Sequence, residues 1–466
     1  MTSTNAQLAY LPLSEVASLI AKKDLSPVEL TQGTLDRISA LDSRLHSYYT
    51  VFAAEALATA KAAETQIRSG TYRGPLHGVP IAVKDIYEAG PTTGGSKLRK
   101  DYVAAQECTV VQRLKQAGGV LLGKLATYEF AAGLPTLASY FQPARNPWNL
   151  EIDPGGSSSG AGAAVAAGLA FGAMGTDTGG SIRYPAFCCS IVGMKATYGR
   201  VSRAGVFPLS WSLDHTGPMT RTVKDCALML QACAGSDPLD PASAHVPVPD
   251  FSAKLGQDLT GLRIGIPRKL FAENCDREIL AGFEAAAVQI AKLGAEVRDV
   301  DSITLGELQA TFWPLSSADA AAYHLPDLRT RAGDYNPDLR LLLAVGVLVS
   351  AMAYVQAQRV REQIRRRMLE QLQTVDLFMV PTIGVMPGPI RSESPGLFLM
   401  AETFPIYTAL FNLTGFPALA LPCGFSSTGL PLGFQLAGKP FDEATVFQAG
   451  YAYEQATPWH TRHPTL

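Results

Sequence analysis

Two serines in glycine-rich segments, and a lysine at the end of an apolar run, have the types and spacing that could do chemistry. Ser157 lies in PGGSSSGAG, Ser181 lies in GTDTGGSIRYPA, and Lys84 ends the run VPIAVK. A serine hydroxyl becomes a nucleophile only when a base takes its proton. A lysine can be that base when burial disfavours its ammonium form. Together the three residues predict nucleophilic catalysis by a serine.

Paired glycines precede both serines and predict sharp backbone turns. A glycine turn lets consecutive N–H groups face one point, which is the geometry that an oxyanion hole requires. The serines at 157–159 also open a helix of small residues, and a helix N-terminus favours anionic groups. A flexible turn with a serine cap would have the same composition, so each segment alone leaves that alternative open.

Histidine is the usual partner of a catalytic serine, but no recognisable triad segment surrounds any histidine here. A lysine can act as the base instead if it is held neutral. Lowering its pKa from about 10.4 to about 7.5 costs about 4 kcal/mol, which burial can supply. The alternative for Lys84 is a structural lysine that reaches solvent and pairs with Asp85. The seven histidines are His46, His77, His215, His245, His324, His460 and His463.

Two further motif matches are rejected on their context. The segment GSSSG at 156–160 matches the nucleophile elbow G-x-S-x-G, but the polar, proline-broken NPWNLEIDP precedes it where a hydrophobic strand is required. The segment that ends at Lys124 nearly matches the phosphate-binding G-x-x-x-x-G-K-[ST], but Leu125 replaces the residue that would hold magnesium. We therefore expect neither an α/β-hydrolase nor a nucleotide site.

Hydrophobic patterning predicts the elements that must position the three residues. VPIAV predicts a buried strand that ends at Lys84, and FGAMGTD at 171–177 predicts another that leads into the Ser181 turn. The residues from Pro154 to Leu169 predict a loop followed by a small-residue helix. Alternating strand and helix patterns along the chain predict an α/β fold with one large mixed sheet.

Helical patterns dominate the beginning of the chain and one later region. Ser14 and Ser26 stand where N-caps are expected. A long helix is predicted from about Leu339 to Val375. Its most apolar part, 341–355, is too short to span a bilayer. We expect a buried helix with a solvated basic end, with a membrane contact as the alternative.

Composition excludes several classes of protein. The 466 residues are 47% apolar and 17% charged, enough for a core that needs no disulfide or metal. The net charge of −2 shows no basic face for nucleic acid. Seven cysteines with irregular spacing and no C-x-x-C argue against zinc and against disulfides. We expect no cofactor and no metal. Such cysteines fit a reducing cytoplasm, which is the expected location, and the first 21 residues carry no signal-peptide pattern.

At these residues the chain resembles the amidase signature family. The resemblance is continuous from about Leu76 to Ala234 and weaker elsewhere. It implies a mixed sheet covered by helices on both faces, in one domain over 1–466. That domain would comprise N-terminal helices (1–70), a signature core (71–235), a variable helical region (236–370) and the C-terminal part of the core (371–466). The matching segments are GVPIAVKD, PGGSSSGAGAAVAAG, GTDTGGSIRYPA with VGMKATYGRVS, SLDHTGPMTR, and NLTGFPALALPCG with GLPLGFQLAG.

The resemblance also implies a role for each matching residue. Ser181 matches the nucleophile, Lys84 the base, and Ser157 the serine that bridges them, which lies on a cis peptide in relatives. The backbone N–H groups of Thr178, Gly179, Gly180 and Ser181 match the oxyanion hole. Three neighbours are expected to hold the loops rather than to react: Ser158, Asp177 and Arg183.

The expected reaction is hydrolysis of an amide C–N bond through an acyl-enzyme. Neutral Lys84 would accept a proton from Ser157, which accepts one from Ser181 as that oxygen attacks the carbonyl. The reverse relay would protonate the leaving nitrogen, because an amine leaves poorly without a proton. Water would then repeat the attack.

Aromatic residues in three insertions predict an apolar or aromatic pocket. The insertions lie near 134–141, 207–213 and 311–316. The pocket candidates are Phe130 and Ala131, which the resemblance places at the wall, with Leu134 and Trp211. The expected substrates are neutral aryl or alkyl amides, with esters and carbamates (urethanes) as further substrates.

The glutaminase component of a glutamyl-tRNA amidotransferase, its A chain, is the alternative function. In that component an aspartate a few residues before the N-x-x-G-x-P segment contacts glutamine, but residues 404–407 here contain no acid. A non-catalytic binding protein on the same scaffold is a third hypothesis. For the preferred function we expect a small-molecule amide substrate, no nucleic acid, no membrane, and a monomer or homodimer.

Overall fold

The computed structural model describes residues 8–393 and 406–466, and within them eleven strands form one sheet. The order across the sheet is β1-β3-β2-β4-β6-β5-β10-β11-β9-β7-β8, with both parallel and antiparallel neighbours. The strands β1 to β11 are Tyr48–Val51, Pro80–Lys84, Val120–Leu125, Gly172–Asp177, Val192–Lys195, His215–Thr220, Arg263–Ile266, Glu296–Asp299, Leu377–Pro381, Ala418–Phe425 and Pro431–Gly438.

Helices cover both faces of this sheet. Every residue of β2, β3 and β4 is buried. Because successive side chains of a strand point to opposite faces, burial of all of them requires cover on both sides. The predicted α/β fold with a large mixed sheet is confirmed. The helices α1 to α13 are Leu13–Lys22, Pro27–Leu45, Ala53–Arg68, Thr109–Gln116, Ser159–Ala166, Arg183–Cys189, Val223–Cys233, Arg277–Lys292, Leu305–Arg331, Pro337–Leu348, Ala351–Gln371, Ala409–Thr414 and Glu443–Gln455.

One of the two predicted N-caps is confirmed and the other is wrong. The Ser26 side chain accepts hydrogen bonds from the N–H groups that open α2. Helix α1 instead begins at Leu13, one residue before Ser14. The Asp225 carboxylate, from α7, accepts the N–H groups of Leu13 and Ser14 at 2.8 Å each. Helix α1 is thus capped by a carboxylate from a distant helix and not by the serine that the local sequence predicted.

The predicted long helix is two helices, α10 and α11, which meet at 96°. Val349 is extended between them, and the Ser350 side chain caps α11 by accepting from the Ala353 N–H at 3.1 Å. The prediction of a buried apolar stretch is confirmed for Leu342 and Leu343 but wrong for Leu348 and Met352, which are 83% and 82% exposed. In the described parts of the chain, no single helix is long and apolar enough to cross a membrane. Only when α10 and α11 are taken together, across their bend, do length and composition suffice for such a span.

Strand pairing brings the chemically interesting segments together. Strands β2 and β4 are parallel neighbours, with Ile81 opposite Gly172 and Val83 opposite Met174. Parallel neighbours end at the same edge of a sheet, so Lys84 and the loop after Asp177 lie side by side. Helix α5, which follows the Ser157 loop, packs on both strands.

We propose that residues 1–466 form a single domain. The support is that one sheet takes strands from every region between Tyr48 and Gly438. Even the region 236–370, expected to be variable, contributes β7 and β8 to this sheet.

Candidate active site

Lys84 is a fully buried amine between two hydroxyls. Its Nζ lies 2.7 Å from Ser157 Oγ and 2.8 Å from Thr176 Oγ1. Burial lowers the pKa of this amine to about 7, although the negative charges of Asp214 and Asp177 raise it. Near neutral pH the amine can therefore lose its proton and accept one from a hydroxyl.

The alternative for Lys84, a lysine that reaches solvent and pairs with Asp85, is wrong. Asp85 is itself buried and pairs with Lys124, whose Nζ lies 3.2 Å from its Oδ1. Its other oxygen accepts the Thr93 N–H at 2.9 Å. Lys124, the lysine of the rejected phosphate-loop match, thus neutralises Asp85 next to the site.

Tyr128 fixes the loop that carries Ser157. The Gly156–Ser157 peptide bond is cis, and the Tyr128 N–H donates to the Ser157 carbonyl at 3.1 Å. The Tyr128 ring lies so close that a Cβ on Gly156 would be 2.2 Å from it. The Tyr128 hydroxyl donates to the Asp153 carboxylate at 2.7 Å. Only glycine fits at position 156 while that tyrosine stays in place.

The Ser181 turn is joined to the Ser157 loop and to the C-terminal part of the chain. The Ser158 N–H donates to the Ser181 carbonyl at 3.2 Å. The Thr408 hydroxyl donates to the Gly179 carbonyl at 2.5 Å. Gly180 has φ +136°, a conformation in which a side chain would be strained. Within residues 8–393 and 406–466, the N–H groups of Gly179, Gly180 and Ser181 donate to no protein acceptor. They are available to a substrate oxygen.

Asp177 and Arg183 form a buried ion pair under this turn. Two guanidinium nitrogens donate to the carboxylate at 3.0 and 2.8 Å, and the guanidinium also reaches Asn412 and Gln435. Burial raises the pKa of Asp177, but the Arg183 charge outweighs it and holds that pKa well below the usual range. The Ser158 hydroxyl is also buried and donates to the Thr176 carbonyl at 3.3 Å. These contacts are of the kind that hold the loops.

Arg183→Met is expected to lower the free energy of unfolding by about 3–5 kcal/mol, because it leaves the Asp177 charge buried without its partner. Urea unfolding followed by circular dichroism measures the loss. Arg366→Met is the matched control, since Arg366 is 73% exposed in its pair with Glu362 and should change stability by less than about 1 kcal/mol. Equal, small losses for both variants would contradict a stabilising role for the buried pair.

A cavity of about 130 Å³ opens in front of the two serines. Ser157, Ser181 and the backbone of 178–180 form one wall. The lining also includes the polar residues Ser316, Asp338 and Thr408, but most of the other wall residues are apolar or aromatic: Ala131, Leu134, Leu209, Phe312, Trp313, Leu342, Ile383 and Ile406. Such walls favour an uncharged substrate group.

Of the four predicted pocket residues, Ala131 and Leu134 line this cavity, while Phe130 and Trp211 lie outside it. Phe130 has φ +45° and turns its ring away, 4.6 Å from the His324 ring. Trp211 is 55% exposed on its loop. Local sequence showed two aromatic residues near the site but not which way their side chains turn.

Several site residues were missed from the sequence. Thr176, the second partner of Lys84, could have been found, because its strand is the parallel neighbour of the lysine's strand. Thr408 and Leu342 had no local signal, since long chain segments separate them from the serines. In the part of the chain that the structure describes, no three His, Cys, Asp or Glu side chains form a group that could hold a metal ion.

Comparisons with known proteins show the family to which this chain belongs. The sequence profile of the amidase family matches residues 29–447. An amidase of Pseudomonas putida is 42% identical over 99% of both chains. The A chain of the glutamyl-tRNA(Gln) amidotransferase of Moorella thermoacetica is 41% identical, also over 99% of both. The solved structure of a bacterial aryl acylamidase of the amidase signature family superposes with a TM-score of 0.88, at 29% identity over 97% of each chain. This chain therefore belongs to the amidase signature family and is a hydrolase of carbon–nitrogen bonds.

Proposed function

We propose that this chain is a stand-alone amidase that hydrolyses neutral aryl and alkyl amides through an acyl-enzyme. Ser181 is the nucleophile, Ser157 the bridging serine and Lys84 the base. The observation that carries the proposal is the 2.7 Å contact between the buried Lys84 amine and the Ser157 hydroxyl, in the wall of the cavity that also exposes Ser181.

Acylation begins as Ser181 Oγ attacks the substrate carbonyl carbon. Its proton passes to Ser157, and the proton of Ser157 passes to neutral Lys84. The carbonyl oxygen becomes an oxyanion, which the backbone N–H groups of Thr178, Gly179, Gly180 and Ser181 stabilise. Donors that are already in place need no reorganisation when the charge develops.

Collapse of this intermediate requires a proton on the leaving nitrogen. The Lys84 ammonium returns its proton through Ser157 to that nitrogen, and the C–N bond breaks. Water then attacks the Ser181 ester by the same relay and releases the acid. The Lys84 pKa of about 7 suits both steps, because the amine must accept a proton and give it back.

The cavity supports the choice of substrates. Apolar and aromatic side chains such as Leu134, Phe312 and Leu342 surround the serines, and an uncharged aryl or alkyl group gains from burial against them. Esters and carbamates present the same carbonyl carbon to Ser181, so we propose them as further substrates. The net charge of −2 supports a small-molecule substrate rather than nucleic acid. We propose that the enzyme works in the cytoplasm as a monomer or homodimer, without membrane attachment.

The glutaminase component of a glutamyl-tRNA amidotransferase remains the second candidate, because the Moorella thermoacetica relative is nearly as similar as the amidase of Pseudomonas putida. The acid expected for glutamine has no counterpart in 404–407. Ile406 and Tyr407 are apolar and aromatic there, and Ile406 lines the cavity. Phe404 and Pro405 lie outside the described residues.

A panel of substrates tests the proposal. The purified chain alone should hydrolyse p-nitroacetanilide and at least one phenyl ester and one phenyl carbamate, and Ser181→Ala should hydrolyse none of them. Liquid chromatography of the released acid and amine measures both products. Glutaminase activity that requires two co-purifying proteins, with no hydrolysis of the panel, would favour the second candidate. Absence of Ser181 labelling by a fluorophosphonate, together with no turnover, would favour a binding protein.

A further inference from the structure

Asp214 lies directly opposite the first residue of the Ser181 turn. Strands β4 and β6 are antiparallel, with Thr176 opposite Thr216 and Asp177 opposite His215. Continuing this register by one residue places Thr178 opposite Asp214. Both residues therefore leave the sheet at the edge where Lys84 ends its strand.

The Asp214 carboxylate joins two walls of the site. Thr178 Oγ1 donates to it at 2.6 Å, from the turn that carries Ser181. The N–H groups of Leu209 and Ser210 donate to it at 2.8 and 3.0 Å. Leu209 and Thr178 both line the cavity in front of the serines. One half-buried carboxylate thus holds the start of the oxyanion turn and the neighbouring cavity wall.

The same carboxylate supplies a negative charge near the lysine, which favours the ammonium form of Lys84 and raises its pKa. Asp214 and Thr176, the second partner of Lys84, line one small internal cavity of about 10 Å³. Burial raises the pKa of Asp214 to about 6, although the hydrogen bond from Thr178 lowers it. The carboxylate is therefore ionised above neutral pH. Among the described residues, the other titratable or charged groups around Lys84 and Asp214 are Asp177, Arg183, Lys195, His215, Arg203 with its partner Asp240, and the pair of Asp85 and Lys124 beside the lysine.

We propose that Asp214 is a positioning residue of this site, which fixes the Thr178 end of the oxyanion turn and supplies a negative charge near the buried Lys84. The inference rests on the proposed function of the two serines and the lysine. It adds a residue that the glycine-serine segments do not contain and that touches none of the reacting atoms.

The two parts of this role are separable by substitution. Asparagine at 214 removes the charge and presents an NH₂ group where the carboxylate accepts. Valine at 178 removes the hydroxyl that binds Asp214 but leaves the charge. Serine at 178 restores the hydroxyl.

The experiment measures kcat, KM and the pH dependence of kcat/KM for p-nitroacetanilide with Asp214→Asn, Thr178→Val and Thr178→Ser. Both Asp214→Asn and Thr178→Val should lower kcat by about 10- to 100-fold, since a misplaced group costs that much. Thr178→Ser keeps the hydroxyl and should recover most of the kcat that Thr178→Val loses. The Asp214 charge favours the ammonium form of Lys84, so removing it lowers the pH at which the amine loses its proton. The acid limb of Asp214→Asn should therefore move to lower pH, by roughly one unit. The limb of Thr178→Val should not move.

Wild-type kcat in Thr178→Val, or an unmoved acid limb in Asp214→Asn, would overturn the inference. Circular dichroism shows whether each variant folds. If Asp214→Asn does not fold, the contrast between Thr178→Val and Thr178→Ser decides, because equal kcat values would reject the role of the Thr178–Asp214 contact. If Ser181→Ala hydrolyses p-nitroacetanilide at the wild-type rate, the proposed function is rejected instead. Hydrolysis that depends on Ser181 while the 178 and 214 variants behave like wild type rejects only this inference.

Discussion

Alanine in place of Ser181 is expected to reduce amide turnover by about 10⁵-fold or more, the largest loss of any single substitution in this chain. Removing a serine nucleophile in a serine hydrolase costs roughly that factor, and what remains comes from binding and the oxyanion hole. Liquid chromatography of the released amine over long incubations measures the residual rate. A fluorophosphonate should label the wild type and leave Ser181→Ala unlabelled.

Ser159→Ala is the matched control for this result. Ser159 is a buried serine at the start of α5, next to the Ser157 loop, and its hydroxyl donates to the Ala126 carbonyl at 3.4 Å. Its loss should change kcat by a few-fold at most. Comparable losses in both variants would mean that removing any buried serine hydroxyl near the site stops turnover, and Ser181 would lose its assignment as the nucleophile.

Methionine in place of Lys84 is expected to reduce amide hydrolysis by about 10³- to 10⁴-fold, at the upper end of what a general base contributes. Methionine fills the buried volume without a proton acceptor, so packing changes little. Ester hydrolysis should fall less than amide hydrolysis, because an alcohol leaves more easily without a proton than an amine does. Parallel assays of p-nitroacetanilide and p-nitrophenyl acetate give this ratio.

The pH profile is the second readout of Lys84. Burial lowers the pKa of this amine to about 7, and the neutral form is the active base. The wild-type rate should therefore rise as pH increases through about 7 and level off above it, whereas Lys84→Met should show no inflection there. Near-normal amide hydrolysis by Lys84→Met at pH 8 would show that the relay is wrong.

The parts of the site that sequence predicts correctly are those set by local rules. The run that ends at Lys84 is apolar at every position, which only a strand covered on both faces needs. The glycines at 179 and 180 mark a turn because only glycine accepts the backbone conformation seen at Gly180 without strain. These signals lie within a few residues of the feature that they predict.

The remaining features depend on partners far along the chain. Asp225 caps a helix that begins 212 residues earlier, at Leu13. Thr408 reaches the Ser181 turn from 229 residues away. The bend at Val349 could not be predicted from hydrophobic periodicity either, because the helical spacing of apolar residues continues through it although the helix itself is interrupted. Local patterns contain no information on such contacts, which the folded sheet creates.

The Arg183 guanidinium lies close beneath the Ser181 turn. It donates to two neutral side chains, Asn412 and Gln435, that belong to the last 60 residues of the chain. A gene fragment that stops before position 406 would encode all three proposed catalytic side chains yet lack these acceptors and two central strands. We expect such a truncated product to be insoluble or inactive. A separately expressed C-terminal fragment should restore hydrolysis only in proportion to the amount of the two fragments that reassembles.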